Sequence, residues 1–141
     1  MNFGTSIGDI IVILQLAWDT LQGAKLACGE HDELTLEVRS LHTALSRVQL
    51  EMSRSSAGQE NDEQRKELDE QVAGCEGILR VIDAVLQKYN ALGDDKKKGK
   101  RLWQKIKFGN GEMRDLLEIR GKLLAHTAAI TMSLNAYIWV H

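Results

Sequence analysis

Few side chains in this sequence are spaced for chemistry. The stretch from Gly93 to Lys100 has the glycine and lysine content of a phosphate-cradling loop. Such a loop needs four residues between its glycines, a Ser or Thr after its lysine, and a strand before it. Here five residues separate Gly93 from Gly99, Arg101 follows Lys100, and no strand pattern precedes them, so the segment is not read as a nucleotide site. Cys28 and His31 have a spacing that suggests a metal. The further ligands such a site needs, His42 and Cys75, fall on other predicted helices, and His42 and His126 read as ordinary partly buried or surface histidines. No serine or cysteine sits on a sharp strand-to-helix turn of the kind that presents a nucleophile. The carboxylates between residues 60 and 76 read as a solvated face. The expectation is a non-enzyme with no cofactor and no metal.

Binding surfaces remain. Lys96, Lys97, Lys98, Lys100, Arg101, Lys105 and Lys107 surround Trp103 and Phe108. One reading is a solvated loop leading into a helix whose Trp103 fills the core. The other is a docking site for anionic lipid headgroups, with the aromatic at the interface. Each basic residue near an anionic leaflet contributes about 1 kcal/mol, reduced by salt and imperfect geometry. Nucleic acid would use the same charges, but the net charge is −2, and residues 32–91 carry twelve acids against seven bases. No nucleic-acid partner is expected.

The elements that must position these groups are helices. The chain has 141 residues, 43% hydrophobic, 27% charged and only 5% aromatic, with no proline. That length supports one domain with a real core, and that composition leans away from sheet. The second helix starts near Asp32 and places Leu34, Val38, Leu41, Leu45, Val48 and Met52 on one side, before a polar connection over residues 53–59. The third, over residues 60–92, repeats Leu68, Val72, Cys75, Leu79, Ile82, Leu86 and Tyr89 in a four-three rhythm. Its first turns are poor in apolar residues and are expected to project or fray. Gly74 and Gly77 weaken it, as at a close approach of another helix. Residues 100–108 form a short basic amphipathic helix with Leu102, Trp103 and Ile106 on one face. A last helix, capped by Asn110, carries Leu116, Ile119, Leu123, Thr127, Ile130, Leu134 and Ile138 on one stripe. Leu117, Leu124 and Met132 widen that stripe, which predicts a central position. The expected fold is all-α: an antiparallel bundle of four long helices plus the short basic helix. Cys28 and Cys75 read as small core residues, kept reduced in a cytosolic chain. Residues 1–141 form a single domain, and the apolar ending before His141 suits one excised from a longer protein.

The first helix, over residues 6–28, is the most informative. Ser6 and Asp9 form a capping-box-like pair. Ile7, Ile10, Ile11, Leu14, Trp18 and Leu21 make one apolar stripe, whereas Val12, Ile13 and Leu16 fall on the other side. A helix apolar on two faces needs two partners: neighbours on both sides, another copy of itself, or lipid. The longest unbroken apolar run is Ile10 to Leu14, far short of a conventional span, and no secretory signal is visible. The resting protein is therefore expected to be soluble and intracellular.

Three segments occur in order: Phe3-Gly4-Thr5-Ser6-Ile7-Gly8-Asp9-Ile10-Ile11, Leu102-Trp103-Gln104-Lys105-Ile106-Lys107-Phe108, and Leu123-Leu124-Ala125-His126-Thr127-Ala128-Ala129-Ile130. Together they resemble the HeLo-like N-terminal domains of fungal STAND (NLR-type) receptors and related fungal multidomain proteins. The resemblance spans nearly the whole chain. It implies the signalling or cell-death effector end of an innate-immunity or heterokaryon-incompatibility receptor. Such a domain is cytoplasmic at rest, self-associates under a downstream receptor module of the same chain, and turns its first helix to the plasma membrane. The membrane-active residues implied by position are Phe3, Ile7, Ile10, Ile11, Val12, Ile13, Leu14, Leu16 and Trp18. The basic segment would meet anionic lipid. The alternative is a non-lytic helical adaptor that oligomerises or binds partner proteins.

Overall fold

The computed structural model describes residues 7–54, 63–92 and 111–140, with side chains described over 9–54, 63–91 and 117–139. Four helices fill these segments: α1 (Ile7–Cys28), α2 (Glu33–Arg54), α3 (Glu63–Leu92) and α4 (Gly111–Val140). They pack as a bundle in which α1 and α4 each lie against both α2 and α3. The two therefore occupy opposite corners. The expected all-α bundle of four long helices is present. The short basic helix, the residues Lys96 to Lys107 named above, Phe3, and the Ser6 and Asn110 caps lie outside the described residues.

The α1–α2 corner is fixed by backbone chemistry. Gly29 ends α1 with φ 100°, a left-handed conformation that glycine adopts without steric cost. Its N–H donates to the Lys25 carbonyl at 3.1 Å, and its own carbonyl accepts from the buried Thr35 hydroxyl at 2.8 Å. Asp32 then caps α2, its carboxylate accepting from the Leu34 N–H at 3.1 Å.

The core follows the periodicity closely in α2 and α3. Every residue expected on those two seams is buried, from Leu34 to Met52 and from Leu68 to Tyr89. The expectation that the start of α3 projects is corrected. Arg65, Leu68 and Asp69 are all buried there, with Arg65 Nε 3.7 Å from Asp69 Oδ1. One turn of helix brings these opposite charges together, so a stretch poor in apolar residues can still be enclosed.

Two helix faces differ from expectation. On α1 the core face is Ile10, Ile13, Ala17, Thr20, Leu21, Ala24 and Ala27, while Ile11 and Trp18 are exposed. Ile13 thus belongs to the core, and Ile11 and Trp18 do not; Leu14 and Leu16 are partly buried at its edges. Large apolar residues surround α1, so they do not select a face. The alanine series does, because it lets the backbone sit close against α2 and α3. On α4, Leu123, Ile130 and Leu134 are buried as expected, but Tyr137 takes the core position in place of Ile138, which is exposed. The helix is not central: Leu117, Leu124 and Met132 face solvent from a corner.

Gly74 and Gly77 separate. A Cβ at Gly74 would stand 3.1 Å from His126 Cε1, whereas one at Gly77 would meet nothing within 4 Å. The close approach belongs to Gly74 alone, where α3 meets α4. Across the bundle, the Asn90 amide donates to the Gly23 carbonyl at 3.2 Å and ties α3 to α1.

Candidate interaction surface

The outward side of α1 carries Ile11, Val12, Trp18 and Leu26 among polar residues. Val12 is 56% exposed and Trp18 45%. Trp18 is held from two sides. Its ring lies 5.5 Å from that of His42 on α2, tilted by 51°, and Lys25 Nζ lies 5.9 Å from its centroid. A cation over an indole at an exposed site contributes about 0.5–1 kcal/mol. One turn away, the Gln15 amide donates to Asp19 Oδ1 at 3.0 Å. Burial beside this cluster lowers the His42 pKa from its ordinary value, because taking the ring out of water disfavours its charged form. The neutral imidazole therefore faces the indole.

Of the implied membrane-active residues, Ile11, Val12 and Trp18 share this outward surface. Leu14 and Leu16 flank it, and Ile10 and Ile13 point into the core. The α1 backbone begins at Ile7, whose side chain lies outside the described set. The stretch Asp9–Cys28 is 20 residues long and, among the described residues, is the one helix long and apolar enough to cross a bilayer; core helices of soluble proteins meet the same test. Asp9 and Asp19 are both exposed on it.

Elsewhere the chemistry is structural. Arg120 of α4 reaches α2, donating to Glu37 through Nε at 2.9 Å and Nη2 at 2.7 Å, and to Glu33 at 2.8 Å. The hydrogen bond to Glu37, above all, raises the Arg120 pKa beyond its already high value. This clamp was not anticipated from the sequence, although Glu33 and Glu37 stand one turn apart on a helix that Arg120 could face. Cys28 and Cys75 are buried and are not joined in a disulfide, and burial pushes the Cys75 thiol up to about 12. Among the described residues no three metal-ligating side chains converge. Comparisons with protein-family models, curated proteins and solved structures return no match.

Proposed function

We propose that this chain is a signalling domain that self-associates and engages anionic membrane through α1, the cell-death effector end of a fungal innate-immunity or incompatibility receptor. The observation that carries the membrane step is the composition of α1. It has the length and apolarity of a bilayer span, and 39% of that stretch is buried in the bundle. Its core face is also light: five of its buried positions, Ala17, Thr20, Ala24, Ala27 and Cys28, are small. Leaving the bundle therefore exposes fewer large apolar groups than the departure of α2 would. The HeLo-like resemblance supplies the biological setting: cytoplasm at rest, plasma membrane on activation, and a receptor module downstream.

Flotation with anionic vesicles tests the lipid step. The chain is expected to float with them and not with neutral ones. Replacing Ile11 and Val12 by serine should abolish flotation with thermal stability retained, and replacing Lys96, Lys97, Lys98 and Arg101 by glutamate should do the same. A stable chain that ignores anionic vesicles overturns the reading.

A second reading rests on the polar residues of the same face. Asp9 and Asp19 are costly in hydrocarbon unless they line water. They suit a non-lytic adaptor whose α1 meets a partner protein. That reading predicts self-association without flotation.

A further inference from the structure

The outer face of α4 is used neither by the bundle core nor by α1. Leu117, Leu124, Met132, Ile138 and Trp139 lie exposed along it, Met132 at 72% and Trp139 at 91%. From residue 123 to 139 the helix carries no Asp, Glu, Lys or Arg. At about 100° per residue, Leu117, Gly121, Leu124, Ala128, Met132 and Trp139 fall within one strip on the side opposite the core, with the uncharged Asn135 among them. At their exposed fractions, the five large side chains present on the order of 600 Å² of apolar surface. That is the top of the range for a monomer's largest patch, and it approaches the ~800 Å² that each partner gives to a standard interface.

Gly121 bears on what covers the strip. A Cβ added there would meet nothing within 4 Å, so no packing within the protomer requires glycine. Inside a helix it is nonetheless less favourable than alanine. Gly77 on α3 has the same open space; what distinguishes Gly121 is its place within an exposed apolar strip, where a helix of another molecule would make use of the gap. Lipid chains conform to any relief, whereas a notch beside bulky groups matters to a partner of fixed shape.

We propose that this face is the contact between two copies of the chain, packed antiparallel about a twofold axis beside Ala128. A twofold contact matches residues at equal distances from its axis. Ala128 then opposes itself, Leu124 meets Met132 of the second copy, Leu117 meets its Trp139, and the notch at Gly121 faces its Asn135. The contact gives the proposed self-association an address. It sits at the corner opposite α1 and stands whether or not α1 meets lipid.

The test is the mass of the whole chain in solution. At about 100 μM, well above a micromolar Kd, light scattering should report twice the chain mass of 15.8 kDa. Leu124→Glu should return the single-chain mass with helicity and melting temperature unchanged. Ala128→Cys should cross-link under mild oxidation on the order of tenfold faster than Val81→Cys on the exposed side of α3, because only a self-opposed position brings two thiols into bonding range. A single-chain mass at that concentration overturns the proposal. So does a doubled mass that survives Leu124→Glu, or cross-linking at Ala128 no faster than at Val81. Vesicle flotation of the Leu124→Glu variant reads the α1 reading separately, so each can fail alone.

Discussion

Arg120 of α4 holds the Glu37 carboxylate of α2 with both arms of its guanidinium, Nε to Oε2 at 2.9 Å and Nη2 to Oε1 at 2.7 Å. Both side chains are largely enclosed, whereas Glu33, which shares Nη2, is mostly exposed. Planar two-point pairing fixes geometry as well as charge. The near end of α4 is thereby registered against α2.

The two glutamates should consequently separate under mutation. Glu37→Gln removes a charge-assisted pair that is screened from water and should lower unfolding free energy by about 1.5–3 kcal/mol. Glu33→Gln should cost less than about 1 kcal/mol, as exposed pairs do. Urea denaturation of both variants at low and high salt checks the order.

Gly74 and His126 should be coupled. Alanine in place of glycine favours a helix by about 1 kcal/mol, but here its Cβ would crowd His126 Cε1 at 3.1 Å. Gly74→Ala should therefore gain little alone and its full benefit in a His126→Ala background. A double-mutant cycle reads the difference directly. Gly77→Ala, which meets open space, should be stabilising by itself.

Stability should depend on pH through His42. Burial lowers its pKa in the folded state, so the unfolded chain takes up the proton first as pH falls. Its contribution is complete above the unfolded value near 6.5 and is lost as pH drops through the folded value. His42→Gln should flatten the part of the acid limb that begins just below pH 6.5. An NMR titration of the ring should show the lowered midpoint. The Cys75 thiol acts in the opposite direction. Raised to about 12, it contributes stability below pH 9 that is lost between there and 12. In the native protein both cysteines should resist thiol reagents at neutral pH and react once denaturant opens the core.

Adjacent positions on α1 should respond differently. Ile13→Ala empties a buried site and should cost about 2–5 kcal/mol, whereas Val12→Ser, at an exposed site, should stay within about 0.5 kcal/mol. Thermal melts of the pair test the face assignment independently of any lipid.

These faces show where the sequence was readable. In α2 and α3 charged residues fill the gaps between apolar ones, so the seams from Leu34 to Met52 and from Leu68 to Tyr89 point one way. In α1 isoleucine, valine, leucine and tryptophan occur on nearly every side, and Ala17, Ala24 and Ala27 decide the orientation through close packing rather than bulk. Substituting size for fit moved Ile13 outward and Ile11 and Trp18 inward. On α4, Tyr137 displaced Ile138 for a related reason: a buried phenol can keep a polar partner while filling more volume. The Arg120 clamp depends on helices brought together only by tertiary packing, and spacing along the chain carries little trace of it. The proposed membrane-facing role of α1 rests on the same ambiguity, a helix with more apolar surface than one core needs.

The corner at Gly29 has a mechanical consequence. Its positive φ, the Thr35 hydroxyl on its carbonyl and the Asp32 cap leave little slack between α1 and α2. A helix of 22 residues anchored there behaves as a lever about 33 Å long. Any change of angle at Gly29 would displace most the far end of α1, where the exposed Ile11 and Val12 sit beside the buried Ile10 and Ile13.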